Sequence, residues 1–331
     1  MTERAPLSGS LQPRPLGRSG LRTLPLALGG NVFGWTADEQ SSFGILDRFV
    51  AAGFTLIDTA DTYSKWVPGN SGGESETIIG KWLRRRGRRD DVLVATKLSG
   101  EMGPGLKGLS ARYIRSAVEA SLRRLQTDYI DLYQAHYFDP EVGFDETLRA
   151  FGELIAAGKV RAIGVSNHDA TQLTAALAAA RRHQLPRYET LQPLYNLYDR
   201  QEFEQQLAPI CRAEGLGVIN YYSLASGFLT GKYRNEQAVS AAARQRTNRK
   251  YMTERGFRIL AALDAVAAES GAKAAQIAIA WLIAQPDVTA PIVSATSVPQ
   301  LDELLAATRL PLDPEALALL NRASAYGADG S

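Results

Sequence analysis

The chain has 331 residues, 45% of them hydrophobic, so it can bury one large core without metal ions or disulfide bonds. Its 37 Lys and Arg residues against 35 Asp and Glu residues leave a net charge of +2, which gives no reason to expect a nucleic acid or a membrane as partner. The single cysteine, Cys211, excludes an internal disulfide framework, and three histidines are too few for a convincing zinc site, so we expect no metal. Without a long apolar run or a secretory signal, we expect a cytoplasmic protein.

Short apolar runs alternate with longer stretches whose apolar residues are three and four positions apart, as in amphipathic helices. Several of these runs are apolar almost throughout, which is typical of strands buried on both faces. One helical stretch, 144–159, has Leu148, Phe151 and Leu154 on one face, and 113–125 shows the same pattern. The eight predicted strands are 24–30, 54–60, 92–97, 129–136, 160–167, 190–196, 218–224 and 290–295.

Eight strand-then-helix units predict an α/β fold, a parallel sheet closed into a single-domain (β/α)8 TIM barrel with C-terminal helices. We expect a barrel over 15–324, with tails at 1–14 and 325–331 and a hairpin over 15–23 across the bottom. The polar stretch 235–250 is long for a connection and suggests a functional loop or lid. A doubly wound sheet is the alternative, but the first strand ends in LGGNVFG and lacks the GxGxxG spacing of a dinucleotide-binding turn.

Ionisable side chains collect where the predicted strands end. Asp58, Lys97 and His136 lie at or near the carboxyl ends of three neighbouring strands, and Tyr63 follows Asp58 by a short loop. In a barrel these ends face one mouth, where the chemistry is found. Taken singly, Asp58 with Lys97 could be an interior ion pair, and His136 and Tyr63 could be structural. Their shared location favours a catalytic role.

Such a set suits carbonyl reduction, because a carbonyl oxygen that accepts hydride needs a proton donor. We interpret Tyr63 as the general acid and His136 as a second donor that orients the carbonyl. The Lys97 ammonium, anchored by Asp58, is expected to lower the pKa of Tyr63.

These residues lie in motifs that resemble the aldo-keto reductase superfamily, over about 15–324. FTLIDTADTYS, VATK and DLYQAH place Asp58, Tyr63, Lys97 and His136 at that family's four catalytic positions. The likeness is to bacterial-type, NADP-dependent members, which are related to channel beta-subunit-like proteins. It implies a barrel fold, a nicotinamide cofactor and a carbonyl substrate.

The resemblance also implies cofactor-binding residues, in GKVRAIGVSN, LQPLYN, NYYSLASGFLTGKY and SATSVPQLDEL. From the residues alone, a helix cap, barrel packing and surface charge remain alternative roles for most of them. The implied set is Asn31, Ser166, Asn167, Gln192, Tyr221, Ser223, Leu224, Ser226, Lys232, Arg244, Ser294, Thr296, Gln300 and Glu303.

Two departures from the family pattern concern this cofactor site. Thr296 stands where many relatives have a phosphate-binding Arg. Some relatives that use NADPH have a small hydroxyl residue there, so NADP (NADPH) remains favoured, with NAD possible. Asn220 and Ser223 stand where proline is frequent. Trp35 and Trp66 follow the first two strands and are candidate walls of a substrate pocket, because aromatic walls suit a flat carbonyl compound.

We therefore predict an NADP-dependent reductase of small or aromatic aldehydes and ketones, with the oligomeric state left open. A Schiff-base lyase that uses Lys97 as nucleophile is one alternative, since one fold can host many chemistries. A cofactor-binding redox sensor, or regulatory subunit, is another. The physiological substrate depends on loop residues and does not follow from the sequence.

Overall fold

The computed structural model describes residues 11–235 and 248–327. The strands are β1 Arg14–Pro15, β2 Arg22–Thr23, β3 Ala27–Gly29, β4 Leu56–Asp58, β5 Leu93–Leu98, β6 Ile130–Ala135, β7 Val160–Ser166, β8 Thr190–Gln192, β9 Gly217–Val218 and β10 Ile292–Val293. The helices are α1 Glu39–Ala51, α2 Glu74–Arg86, α3 Ala111–Leu125, α4 Phe144–Ala156, α5 Ala170–His183, α6 Ala208–Glu214, α7 Glu254–Ser270, α8 Ala274–Ala284, α9 Val298–Ala306 and α10 Pro314–Ser324. Shorter helical turns lie at Phe203–Leu207, Ala225–Thr230 and Ala307–Arg309.

Strands β3 to β10 form one parallel sheet whose two edge strands meet. Each strand pairs with the next along the chain from β3 to β9, and β10 pairs with β3. The Ala290 amide donates to the Val218 carbonyl at 3.2 Å, and the Ile292 amide donates to the Asn220 carbonyl at 2.9 Å. These bonds join β10 to the chain at β9, and the predicted (β/α)8 barrel is confirmed.

All but one of the barrel strands are shorter than predicted, most of all the seventh. We expected it over 218–224, whereas β9 covers only Gly217–Val218. Beyond it, Tyr222 and Ala225 have positive φ values of 56° and 48°. Left-handed backbone is incompatible with an extended ladder, so strand pairing stops before these residues.

The predicted hairpin is present at the bottom of the barrel. β1 pairs antiparallel with β2, and Arg14 lies opposite Thr23. Leu16 and Leu21, in the turn between them, are buried against the lowest layer of the barrel interior. The hairpin thereby covers apolar side chains that the open end would expose to water.

Side-chain alternation along the strands explains how polar groups reach the barrel mouth. Leu56, Ala95 and Leu132 pack together inside the barrel. Because alternate residues of a strand face the same side, the residues two positions later also point into the interior. These are Asp58, Lys97 and Gln134, which form a polar layer above an apolar one.

The helices cover the outside of this sheet with a larger apolar core. No helix within 11–235 or 248–327 is long and apolar enough to cross a membrane. Residues 1–10 of the predicted first tail and 328–331 of the last lie outside the described residues, as does most of the predicted loop 235–250. The domain limits stay a prediction.

Candidate active site

The four residues predicted to be catalytic lie together at the mouth of the barrel. Asp58 ends β4 and Lys97 is the penultimate residue of β5, while His136 directly follows β6. Tyr63 reaches the same place from the loop after β4. Asp58 pairs with Ala95, two residues before Lys97, and Lys97 pairs with Gln134, two residues before His136. Because alternate residues of a strand face the same side, this register keeps the three side chains on one face of the sheet and close together.

The ammonium group of Lys97 is fully buried and donates three hydrogen bonds. Its Nζ is 2.7 Å from Asp58 Oδ2, 2.8 Å from the Thr59 carbonyl oxygen and 2.9 Å from the Tyr63 hydroxyl oxygen. An ammonium has three donors, so all of them are satisfied. Lys97 and Asp58 form a buried ion pair that holds the Tyr63 hydroxyl in place.

Our expectation for the acidity of Tyr63 was wrong in direction. Desolvation raises the pKa of Tyr63 well above its ordinary value, and the Asp58 carboxylate raises it further. The Lys97 ammonium does not reverse this, because the Asp58 carboxylate lies against it and compensates its charge. Burial also lowers the pKa of Lys97, while Asp58 acts in the opposite direction. Without ligands, Tyr63 is therefore a neutral phenol.

His136 faces the same space as a neutral ring. Burial, with the nearby Lys97 charge, lowers the pKa of His136 well below its ordinary value. Its Nδ1 is buried without a hydrogen-bond partner, which leaves Nε2 as the nitrogen that faces the cavity. The ring stacks on Tyr137 at a centroid distance of 4.4 Å and lies 6.1 Å from the Tyr63 ring.

The second oxygen of Asp58 has two amide neighbours. Gln192 Nε2 donates to Asp58 Oδ1 at 2.9 Å, and Gln134 Nε2 lies 3.4 Å from the same oxygen. Gln192 was predicted on the cofactor side, whereas Gln134 was not predicted at all. The signal for Gln134 was present, because it precedes His136 by two residues and so faces the same side of β6.

A cavity of about 1170 Å³ opens above these groups, and most of the predicted residues line it. Ligand pockets measure about 300–1,000 Å³, so this one has room for a cofactor together with a substrate. Lining residues that we predicted are Asn31, Trp35, Asp58, Tyr63, Trp66, His136, Ser166, Asn167, Gln192, Tyr221, Ser223, Leu224, Ser226, Lys232, Ser294, Thr296 and Gln300. Lining residues that sequence reasoning missed include Lys65, Glu101, Tyr137 and Tyr222.

The predicted tryptophan walls border this cavity beside Tyr63. Trp35 and Trp66 meet edge to face at 5.6 Å, and Trp66 lies 6.2 Å from the Tyr63 ring. Trp66, Tyr137 and Tyr222 are between 40% and 50% exposed, which is unusual for large aromatic side chains. No motif identified the two tyrosines, because their location depends on how loops from different strands meet.

Ser166, Asn167 and Tyr221 form a connected set on the opposite wall. Asn167 donates to the His136 carbonyl at 2.9 Å and accepts a bond from the Tyr221 hydroxyl at 2.7 Å. The alternative that Ser166 or Asn167 caps the following helix is wrong. The N-cap of α5 is Asp169, which forms a capping box with Gln172.

A tight turn after β9 leaves polar groups without partners. Ala225, Ser226 and Gly227 have φ values of 48°, 57° and 96° in succession. The buried Ser226 hydroxyl and Asn220 Oδ1 make no hydrogen bond to any residue that the structure describes. The Lys232 ammonium lies 3.9 Å from where a Cβ of Gly227 would be, and both residues line the cavity. A cation, an unpaired donor and left-handed backbone together fit a phosphate group.

The far end of the cavity adjoins the amino terminus of α9. Ser294 Oγ is 2.6 Å from Asn31 Oδ1, and both the amide and the hydroxyl of Thr296 donate to Gln300 Oε1. A helix amino terminus favours an anion, so this end also fits a phosphate. Glu303 does not line the cavity, and its carboxylate pairs with Lys273. Arg244, predicted to grip the pyrophosphate, lies outside the described residues.

Known proteins that are similar to this chain identify its family. Residues 25–325 match the model of the Aldo/keto reductase family. The chain is 38% identical to "Uncharacterized oxidoreductase YrpG" of Bacillus subtilis (strain 168), over 92% of this chain and 94% of that protein. It is 34% identical to "Protein tas" of Escherichia coli (strain K12), over 93% and 96%. It is also 36% identical to "Probable voltage-gated potassium channel subunit beta" of Oryza sativa subsp. japonica, over 88% and 90%.

The family model matches the whole barrel and includes the strand ends that carry Asp58, Lys97 and His136. Members of this family generally use a nicotinamide cofactor. The chain therefore belongs to the aldo/keto reductase family of oxidoreductases.

Proposed function

We propose that this protein catalyses the NADP-dependent reduction of aldehydes and ketones to alcohols. The observation that carries the proposal is the Tyr63 hydroxyl, held 2.9 Å from the Lys97 ammonium beside His136 in a cavity large enough for two ligands. This arrangement supports the proposal that Tyr63 donates a proton to a bound carbonyl oxygen. When NADPH is bound, it supplies the hydride.

The side chains of the protein then handle the proton and the charge. Tyr63 hydrogen-bonds to the carbonyl oxygen and transfers its proton as negative charge develops there. The phenolate that results is stabilised by the adjacent Lys97 ammonium. His136 is neutral, and with its proton on Nε2 it donates a second hydrogen bond that orients the carbonyl. Asp58 keeps Lys97 charged and fixed.

Neutral Tyr63 suits this direction of reaction. Desolvation raises its pKa, so the phenol retains its proton until a carbonyl oxygen becomes basic enough to take it. A low pKa would instead leave phenolate, which cannot donate. Lys97 acts mainly after the transfer, by lowering the energy of the anion beside it.

The cofactor is proposed to lie along the opposite wall. Ser166 and Asn167 would contact the nicotinamide amide, with Gln192 beside them, and Tyr221 would pack against the ring. Ser223, Leu224, Ser226 and Lys232 would hold the pyrophosphate, and Arg244 is proposed for the same role. Asn31, whose side chain accepts a hydrogen bond from the Ser294 hydroxyl, is also proposed to contact the cofactor.

NADP is preferred in this proposal because of the α9 end of the cavity. Ser294, Thr296 and Gln300 present hydroxyl and amide groups next to the positive end of the helix dipole, which stabilises a phosphate. None of the described residues that line the cavity is an arginine, which could make a bidentate contact, so the proposed preference over NAD is modest. Glu303 is not proposed to contact the phosphate, because its carboxylate pairs with Lys273.

Flat aromatic aldehydes and ketones are the proposed substrates. Trp35 and Trp66 form one aromatic corner beside Tyr63, and Tyr137 and Tyr222 add exposed rings at the rim. Aromatic surfaces of this kind bind planar compounds by stacking and edge contacts.

The Schiff-base alternative has little support. Lys97 is fully buried, is not among the cavity-lining residues, and uses all three of its donors in hydrogen bonds. A nucleophilic amine needs a free lone pair and access to substrate. The regulatory-subunit alternative uses the same cofactor site, and it differs only in whether the bound cofactor is turned over.

A panel of aliphatic and aromatic aldehydes and ketones, assayed with NADPH and with NADH by nicotinamide absorbance, tests the proposal. We expect oxidation of NADPH with at least one aromatic aldehyde, and slower oxidation of NADH. Tight NADPH binding without turnover of any carbonyl would favour the regulatory alternative. Trapping of a substrate on Lys97 by borohydride would favour the lyase.

A further inference from the structure

One buried carboxyl group near the active site has no role in the proposed mechanism. Asp61 lies three residues beyond Asp58, only 1% exposed, and its backbone amide donates to the Lys97 carbonyl at 3.1 Å. By distance and angle, neither carboxyl oxygen of Asp61 makes a hydrogen bond within the described part of the chain, although the neighbouring Thr62 amide acts to lower its pKa. Buried carboxylates in proteins are normally paired or hydrogen-bonded, because an isolated charge in a protein interior is very costly. This group requires an explanation.

The surroundings of Asp61 do not favour its charged form. Glu76 on α2 is also buried, with its own partners: Thr96 donates to it at 2.7 Å and Arg124 Nε lies 2.6 Å from it. The positive charge of Arg124 is therefore already compensated, and Glu76 repels a second carboxylate. Asp61 remains as a carboxyl group without its own cation.

Other titratable groups that interact electrostatically with Asp61 come from several elements of the barrel. They are Lys97 on β5, Tyr133 on β6, Tyr113 on α3 and Tyr137 after β6. The Tyr133 hydroxyl is itself buried without a partner. Burial and the Glu76 charge raise the pKa of Asp61 from 3.8 to about 8, and the smaller opposing effects of Arg124, the Thr62 amide and Lys97 do not offset them.

We propose that Asp61 is a positioning residue of this active site: it carries a proton in the active enzyme, and its ionisation slows carbonyl reduction by acting on Lys97. The inference rests on the proposed reductase function. Protonated Asp61 leaves Lys97 and Asp58 as a neutral pair behind Tyr63. Ionised Asp61 adds a negative charge to that pair, weakens the positive field of Lys97 at Tyr63, and opposes formation of the phenolate.

The first test compares the pH dependence of kcat for wild type and Asp61→Asn, which is neutral at every pH. We expect wild-type kcat to fall roughly three- to tenfold as Asp61 ionises, the effect of one charge several ångströms away. In Asp61→Asn this fall should be absent, and kcat should decline only at the higher pH where another group of the site ionises. Identical midpoints in the two proteins would overturn the positioning role.

A second variant should move the pH midpoint of the fall in kcat to a lower value. Glu76→Gln removes the repelling charge and frees Arg124 to attract Asp61. Asp61 should therefore ionise at a lower pH, and the fall in kcat should begin at that lower pH. A purely structural role predicts no such pair of opposite shifts. Asp131→Asn is the matched control, because Asp131 is equally buried but bonds Arg89 and Arg161 further down the barrel. It should reduce stability without moving the midpoint of kcat.

Protonation itself is measured without activity. Difference infrared spectra of wild type against Asp61→Asn should contain a carboxylic-acid band at about pH 6 that is lost by about pH 10. Because the folded pKa is raised above the unfolded value, wild-type stability should fall as pH rises from about 4 to about 8, and Asp61→Asn should lack this slope. Absence of both signals would overturn the protonation.

The protonation of Asp61 can be tested even if the proposed function fails. If no carbonyl compound is reduced by the wild type, the proposed function and the positioning role fail together. The infrared and stability results still decide whether Asp61 carries its proton.

Discussion

The two walls of the barrel mouth differ in how their polar groups are satisfied. On the wall formed by β4, β5 and β6, Lys97, Asp58 and Tyr63 bond one another in the absence of any ligand. On the wall formed by the turn after β9, the buried Ser226 hydroxyl has no hydrogen-bond partner among the described residues, and Ser226 lines the cavity. The fold therefore completes the group formed by Tyr63, Lys97 and Asp58, whereas the turn leaves a hydroxyl that a ligand can satisfy.

The difference follows from what each wall must do. A buried ion pair is tolerated only when both charges are well bonded, so the reaction groups must be complete before substrate arrives. A phosphate-binding turn gains affinity by keeping donors free, because bonds made within the protein would have to be broken on binding. The variants below test this contrast, beginning with the largest expected effect.

The first variant removes the proposed acid. Tyr63→Phe should lower kcat by about 10²–10⁴-fold, the usual contribution of general acid catalysis, and leave NADPH affinity nearly unchanged. Steady-state kinetics and fluorescence titration measure the two quantities. Tyr137→Phe, which removes another cavity-facing hydroxyl that does not bond Lys97, is the control and should keep most of the activity. A loss below about tenfold in Tyr63→Phe would reject the assignment.

The second variant removes the buried ion pair between Lys97 and Asp58. Lys97→Met leaves the buried Asp58 carboxylate without its cation, so the free energy of unfolding should fall by about 3–5 kcal/mol. Turnover should fall as well, and the pH dependence of any residual activity should move upward, because the Tyr63 phenolate loses its neighbouring charge. Urea unfolding and pH-rate profiles provide the measurements. Lys65→Met, at the cavity rim, should do neither, and unchanged stability with full activity in Lys97→Met would make Lys97 dispensable.

The third variant adds a charged contact to the cofactor phosphate at the α9 end of the cavity. Thr296→Arg should tighten NADPH binding by about 1–3 kcal/mol, the typical strength of a hydrogen bond to a charged group. NADH lacks the 2′-phosphate, so its affinity should hardly change and serves as the control. Fluorescence titration of both cofactors with both proteins measures this. Equal gains for the two cofactors, or no gain for either, would mean that Thr296 does not face the phosphate.

The smallest effect separates a paired hydroxyl from an unpaired one on the same wall. Ser226→Ala removes a hydroxyl without a partner, so the free protein should keep its stability while NADPH binding weakens by about 0.5–1.5 kcal/mol. Ser223→Ala removes a hydroxyl that already donates to the Ile292 carbonyl at 2.6 Å, so, unlike Ser226→Ala, it should destabilise the free protein. Thermal unfolding with and without NADPH distinguishes them. Equal changes in the stability of the free protein for both variants would contradict the contrast between a hydrogen-bonded hydroxyl and one without a partner.

Local sequence patterns determined the architecture and the composition of the reaction wall. Apolar runs that alternate with amphipathic stretches indicate a parallel sheet covered by helices, and parallel strands bring Asp58, Lys97 and His136, at their carboxyl ends, to one mouth. These properties depend on residues close together in the chain. The sequence was therefore sufficient to predict the barrel, the hairpin and the place where the polar residues meet.

Only the tertiary structure decided which groups are paired there and which are not. Gln134 contacts Asp58, and Glu303 turns to Lys273 instead of the cavity, because contacts across strands and helices determine side-chain partners. The pKa of Tyr63 rises instead of falling, since its desolvation and the position of Asp58 relative to Lys97 are properties of the assembled site. Asp61 is an acid like any other in the sequence, and only the packing of α2 and α3 over β5 leaves it buried and without a partner.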